Sequence, residues 1–473
     1  MKRALVFLLM VSVIVVLAAC GPGGGGGGVA AGGEGAVAEN GASADTADER
    51  EVFTFWTFVD QWESFAIYFA GQRPDLELEV ALITSEWVDT LLTTFSAGTN
   101  IPDAVALANH DLRMFVETEF LLPICELLPH TVEMDTYEFT IEAGRHPDGT
   151  SRAFGIQATP GAMFFRRSMA REIFGTDDPI ALQNYFRDIP TTLSSAQRIH
   201  DVTDGQTVFV TDALVFLDPF KYNRQEPWIV DNRLFVDPIL YEYIDFAYTL
   251  HNSGFDMGVP AWTEGWFAGI SDTLFDAAGN QVGVFAYILP TWGVSFVVMR
   301  NYYTEATNTF GDWGLIRGPL SFQQGGSWLA VPAGAQNPQA GKDFIVFSCF
   351  DPIQSRFLVE GISNESLRAF DPDVRPGLVV GPGDFSSSGV INNMAAPYFD
   401  DTESYHFFSG QNSHAFFSEI APYVSARLMQ GTDGLIDGMF NDAVRLYITG
   451  QMDREQAMEQ FRNTVSISLP HLD

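Results

Sequence analysis

The chain has 473 residues and a formal net charge of −35, from 25 Lys+Arg against 60 Asp+Glu. With 46% hydrophobic and 18% charged residues it can bury a sizeable core, which excludes a disordered polyelectrolyte and suggests two or three domains. So acidic a surface is repelled by phosphate backbones, and three lysines (Lys2, Lys221, Lys342) among scattered arginines make no basic patch, which argues against nucleic-acid binding.

Lys2 and Arg3 precede an apolar run, Ala4–Val16, that is too short for the about 20 residues a membrane span needs and fits a secretory signal. Leu17-Ala18-Ala19-Cys20 resembles a bacterial lipobox, so residues 1–19 are expected to be a lipoprotein signal peptide and Cys20 the lipidated N-terminus of the mature chain. Residues 21–50 are Gly/Ala-rich without apolar period and read, with Cys20, as a flexible linker whose reach is about 30 Å. Cys125 and Cys349 remain; both lie in apolar contexts and are expected to be buried free thiols, with a disulfide as the alternative.

The body begins near Glu51. Val52–Thr57 reads as a strand. Trp62, Phe65, Ala66 and Phe69 fall on one helical face within Asp60–Gln72, with Asp60 as the expected N-cap. Alternation at Leu76, Leu78, Val80 and Leu82 predicts a strand, Ser85–Ala97 a helix ending at Gly98, and Ile101–Ala108 a strand. This β-α-β-α-β order implies a parallel sheet covered by helices, with ligands at the carboxyl ends of its strands. Further on, Ala170–Phe174 and Leu182–Ile189 read as helices, Val208–Phe216 as a strand and Pro238–Leu250 as a helix. Then come a turn at Asp276–Gly283, a strand over Val284–Leu289, a helix over Leu435–Ile448 closed by Gly450, and a last helix through Val465 opened by an Asp453/Gln456 capping box. Asp148-Gly149, Asp204-Gly205 and Asp433-Gly434 read as turns.

Phosphate-loop, HExxH, GxSxG and SxxK patterns are all missing, and the histidines and cysteines have no zinc spacing; neither a metal nor a cofactor is implied. Several tryptophans instead stand beside turns: Trp56 near a strand end, Trp262 and Trp266 in PAWTEGW, Trp292 after a strand in ILPTWG, and Trp328 after two glycines. Loop-borne indoles offer flat apolar faces to sugar rings, while carboxylate and amide edges select hydroxyls.

In chain order, VFTFWTFVD, SAGTNIPDAVALANHD, DGTSRAFGIQATPGAMFFRR, VFAYILPTWG, WGLIRGPLSFQQGGSWLAV and AVRLYITGQMDREQAMEQF resemble segments of the extracellular solute-binding proteins of family 1, maltose-binding-type lipoprotein receptors of ABC carbohydrate importers. The resemblance covers residues 51–473 and implies an α/β, two-lobed, type II periplasmic-binding-protein-like fold with hinge strands between the lobes. The lobes are expected at 51–160 plus 314–352 and at 161–313 plus 353–473. It also implies a monomeric binding protein without enzymatic activity, membrane-tethered outside the cytoplasm, that delivers a carbohydrate to the transmembrane subunits of an ABC permease. Ligand contacts are expected at Trp56, Asp60, Asn109, His110, Trp262, Trp266, Trp292, Gly326 and Trp328. The chain departs from the family at Phe165-Arg166, where Tyr-Asn is usual; Arg166 and Arg167 read either as exposed helix-start charges or as arginines aimed at an acidic ligand group. Gly383–Phe417 is elaborated relative to the family, so no ligand contact carries over there. A surface-anchored carbohydrate hydrolase or lyase and an adhesion or signalling lipoprotein are the alternatives.

Overall fold

Alternation sorts the side chains of strand β1 (Glu51–Thr57): Phe53 and Phe55 are buried on one face, and Trp56 is half-buried on the other. The computed structural model describes residues 50–381 and 383–472, so the expected signal peptide, Cys20 and most of the linker lie outside the described residues. After β1 the strands are β2 (Leu76–Leu82), β3 (Ala104–Ala108), β4 (Ala153–Gly155), β5 (Gly161–Arg166), β6 (Thr207–Val208), β7 (Ile229–Val230), β8 (Arg233–Leu234), β9 (Gly283–Val284), β10 (Ala286–Pro290), β11 (Trp313–Ile316) and β12 (Ser327–Ala330).

One sheet has the order β2-β1-β3-β12-β4. The expected βαβαβ unit supplies its parallel part, β1 pairing with both β2 and β3 across helices Asp60–Gly71 and Trp87–Ala97. β12 returns antiparallel between β3 and β4. The second sheet, β10-β5-β11, is antiparallel throughout, and the short parallel pair β6–β9 lies beside it through Ala286 N donating to Phe209 O at 2.9 Å. Phenylalanines dominate both cores. Phe53, Phe55, Phe69 and Phe344 interlock under the first sheet at centroid distances of 4.9–5.7 Å, and Phe186 stacks on Phe209 and Phe285 under the second, 5.7 Å from each. Such pairs contribute about 0.5–1.5 kcal/mol each beyond simple burial.

Some elements depart from expectation. Val208–Phe216 is not one strand: Asp212 accepts a hydrogen bond from Leu214 N at 3.0 Å and turns the chain into a 3-10 helix at Ala213–Phe216. Asp433-Gly434 is no turn but the start of helix Asp433–Ile448. The helical run expected over 182–189 is broken; helix Pro179–Gln183 ends in a 3-10 turn, and a capping box of Asp188 and Thr191 starts a new helix at Ile189. Asp60 occupies the first helical position and caps nothing, Val59 being the N-cap. The Asp453/Gln456 capping box forms as expected.

The expected lobe boundaries need correction. Helices Ile353–Glu360 and Gly389–Ala395, assigned to the second lobe, pack in the first: Phe357, Leu358, Ile391 and Phe399 share a core with Phe53 and Phe65, and the Phe65 and Phe357 rings meet edge-on at 5.5 Å. β11 belongs to the second sheet, so the chain crosses after Ile316 rather than before 314. An apolar helical face shows that an element is buried, not which sheet buries it, and this is where the sequence reading failed.

Candidate functional site

Several segments pass between the two sheets. Residues 156–160 lead from β4 to β5, residues 317–326 lead from β11 to β12, and residues 421–432 join helix Ser413–Ile420 to helix Asp433–Ile448. The first two run antiparallel and are tied by Gly161 N donating to Phe322 O at 2.8 Å and Gln324 N to Thr159 O at 3.2 Å. The third is pinned to helices of the first sheet, with Ala426 N on a Glu142 carboxylate at 2.8 Å and Gly431 N on that of Glu117 at 3.1 Å. Side chains at these crossings are shared by both halves, and here a ligand can touch both.

On the second half, Trp262 has a left-handed backbone (φ +68°) and its residue surface is 59% exposed. It stacks on Trp292 at 5.8 Å and leans on Trp266 at 5.2 Å. Thr263 secures the segment, its hydroxyl donating to Pro260 O at 2.8 Å and accepting from Trp266 N at 3.4 Å. Trp292 is fixed by donation from Nε1 to Gln324 O at 3.1 Å. A cavity of about 230 Å³ opens beside Trp262, with Asp212, Asp218, Gln324, Asn441 and Arg445 as its polar members. A bulky residue at positive φ is a true backbone outlier, costing about 1–3 kcal/mol and recurring at ligand clamps.

A second cavity of about 240 Å³ lies between Asn109 and His110 of the first half, Lys221–Gln225 of the second, and the third crossing with Asp433 and Asp437. β3 runs directly into helix Asn109–Val116, which sets Asn109 and His110 at its carboxyl end. Asn109 Nδ2 donates to the Tyr222 hydroxyl at 3.2 Å, across the two halves. Burial opposes the charge on Lys221, but Asp218 at 2.7 Å and Asp437 at 2.8 Å outweigh it and raise its pKa well above the ordinary lysine range. Arg224 pairs with Asp433 at 3.1 Å. Burial pushes the Asp433 carboxyl up to about 6, Asp437 adding to the effect while Arg224 and Lys221 oppose it. Asp111, 3.1 Å away, raises His110 against the opposing pull of burial.

Of the nine expected contact residues, Asn109, His110, Trp262 and Trp266 line these two cavities. Trp292 backs Trp262, and Trp266 is itself buried, so it supports the exposed indole rather than offering a face. Trp328 is a correction: it is fully buried, its Nε1 donating to Thr140 O at 2.8 Å, so its ring cannot stack on a ligand. The glycines before it mark the crossing into β12 and put the indole inside the sheet rather than beside a cleft. Trp56 packs half-buried against the core, and Asp60 pairs with Arg375 at 3.4 Å; neither lines these two cavities.

Gly326 matters through its backbone, with φ +100° and its carbonyl accepting from Asn109 N at 3.1 Å. A Cβ there would lie 3.1 Å from both the Thr159 hydroxyl and the Trp328 ring. Gly326→Ala is therefore expected to destabilise the fold by about 1–3 kcal/mol, read by urea unfolding; an unchanged midpoint would contradict this placement.

Arg166 and Arg167 meet neither expectation. Arg166 is buried, bidentate to Asp272 at 2.6 and 2.8 Å and bonded to Asp312 at 2.9 Å. Arg167 donates to the carbonyls of Trp313, Asp177 and Phe408. Both brace the second half. Cys125 and Cys349 are free thiols, the first half-buried and the second fully buried, which raises its pKa. The sequence reading missed Arg224, Asp433, Lys221 and Asp218. Lys221 stands out in the sequence only as a rare lysine, and Asp433 lies in a dipeptide that reads as a turn. Among the described residues no group of three or more His, Cys, Asp or Glu converges as a metal site, and no helix is long and apolar enough to cross a membrane.

No protein-family model and no curated protein matches the sequence. Solved structures do match in fold. An extracellular solute-binding protein of family 1 has a TM-score of 0.69 at 14% identity, over 87% of this chain and 98% of that one. The galacto-N-biose-/lacto-N-biose I-binding protein of an ABC transporter from Bifidobacterium longum, in complex with lacto-N-biose, has a TM-score of 0.63 at 13% identity, over 89% and 97%. The sugar-binding protein MalE from the phytopathogen Xanthomonas citri has a TM-score of 0.63 at 16% identity, over 88% and 96%. At such identities the likeness is one of fold: this chain has the two-lobed, type II periplasmic-binding-protein architecture.

Proposed function

We propose that this chain is the substrate-binding component of an ABC importer. It holds a sugar or oligosaccharide between its lobes and delivers it to a membrane permease without covalent chemistry. The observation that carries the reading is Trp262: an exposed indole at positive φ, stacked on Trp292 above a cavity rimmed by carboxylate, amide and guanidinium groups. An apolar plate with a hydroxyl-binding rim matches the two faces of a pyranose. The fold it shares with the galacto-N-biose-/lacto-N-biose I-binding protein and with MalE supports the same reading. Trp262 and Trp292 form the platform, Trp266 supports it, and Asn109 and His110 contribute from the other lobe. A ligand that touches both lobes favours the closed arrangement by its differential affinity. Export and tethering through Cys20, with a monomeric body, complete the proposal.

The test is a thermal-shift screen of mono-, di- and oligosaccharides with product analysis. A sugar at 100 times its Kd should add about 2.7 kcal/mol of stability and be recovered intact. Stabilisation by no sugar, or a hydrolysed product, contradicts the proposal.

A further inference from the structure

The cavity between Asn109 and Asp433 is lined by residues with polar atoms that nothing among the described residues satisfies. Arg224 Nη1 and Asp433 Oδ1 are buried without a hydrogen-bond partner among the described residues, and Arg224, only 4% exposed, lines the cavity. Its guanidinium cannot swing away: Nε donates to Lys221 O at 2.9 Å, Nη2 to Asp433 Oδ2 at 3.1 Å, and the group lies over the Trp228 ring at 5.3 Å. Beside the cavity, Arg224 Nη1 is thus a fixed donor and Asp433 Oδ1, on its partner, an acceptor without a donor.

Most cations here are already paired. Lys221 is held between Asp218 and Asp437, Arg113 is paired with Glu117 at 2.7 Å, and Arg427 is exposed to solvent. An anionic ligand group would satisfy Arg224 Nη1 but bring a second negative charge against Asp433. A hydroxyl accepts from the first and donates to the second, leaving neither unmet. The two cavities also lie along one helix: Asp433 and Asp437 face this one, Asn441 and Arg445 the Trp262 cavity. Twelve residues of helix rise about 18 Å, longer than one pyranose, and Lys221 of this cavity pairs with Asp218 of the other at 2.7 Å.

Building on the sugar-binding reading, we propose that Arg224 and Asp433 form a hydroxyl-reading subsite, so that the ligand is an uncharged oligosaccharide with one ring at Trp262 and another here. The experiment is calorimetric titration of the full-length chain at pH 7.5. The probes are neutral mono- to tetrasaccharides and the same oligosaccharides ending in a uronic acid, each against wild type and Asp433→Asn. Expected are at least tenfold tighter binding of the best neutral oligosaccharide than of its uronate counterpart, and at least tenfold loss for that oligosaccharide in Asp433→Asn with less than twofold loss for a monosaccharide. Equal or tighter binding of the uronate overturns the proposal. So does an indifferent Asp433→Asn, which would make the cavity merely hydrated. If Asp433→Asn does not fold, the neutral–uronate comparison on wild type decides. Failure of every sugar to bind would sink the sugar-binding reading itself, an outcome distinct from these.

Discussion

Trp328→Ala is expected to cost about 3–5 kcal/mol of folding stability, as large-to-small changes at a buried tryptophan do, whereas Trp262→Ala should cost clearly less, about 1–2 kcal/mol, through its contacts with Trp266 and Trp292. The two indoles have similar sequence surroundings, each beside a glycine or proline, yet opposite environments. Trp328 sits in β12 between β3 and β4, fully buried, with its Nε1 on Thr140 O. Removing it leaves a cavity and strips the Thr140 carbonyl of its donor. Trp262 stands 59% exposed, and an alanine there keeps the strained φ while losing only the indole stack. In sugar binding the ranking reverses: loss of the Trp262 plate should weaken affinity at least tenfold, about 1.4 kcal/mol. Urea unfolding and calorimetry on the two variants measure both quantities. Equal destabilisation by the two substitutions, or unchanged sugar affinity in Trp262→Ala, would contradict this division of roles.

Arg166→Met should be comparably damaging, about 3–5 kcal/mol, the cost of breaking a buried ion pair from one side. Arg166 ends β5, its guanidinium lying over the Trp313 ring at 5.3 Å and held by Asp272 and Asp312. Asp312 also accepts from Ser168 N at 2.7 Å, so it anchors the start of helix Arg167–Phe174 as well. Methionine fills part of the space but leaves two carboxylates facing each other without their shared cation. Arg166→Lys should recover only part of the loss, since an ammonium cannot reproduce the bidentate contact. A chemical-denaturation midpoint for Arg166→Met indistinguishable from wild type would show that the pair braces nothing.

The first half of the fold was legible because local signals and tertiary packing agree there. Trp62, Phe65, Ala66 and Phe69 share a helical face and are all buried, and Gly98 ends the next helix at φ +66°. The lobe assignment of 353–399 was not legible, since aromatic helical faces suit either sheet. The candidate site was half legible. Indoles near turns were the right class of signal and led to Trp262, Trp266 and Trp292, but proximity to glycine does not separate an indole facing a cleft from one entering a strand, as Trp328 does. Arg224 and Asp433 stand 209 positions apart. Their pairing depends on how the third crossing returns to the second lobe, and no local pattern carries that.

The most direct test is a crystal structure of the chain with the sugar that stabilises it most. The account predicts a pyranose lying flat against the Trp262 indole, between the lobes and within reach of the crossing segments. A sugar bound on an outer face of one lobe, with Trp262 untouched, would contradict it.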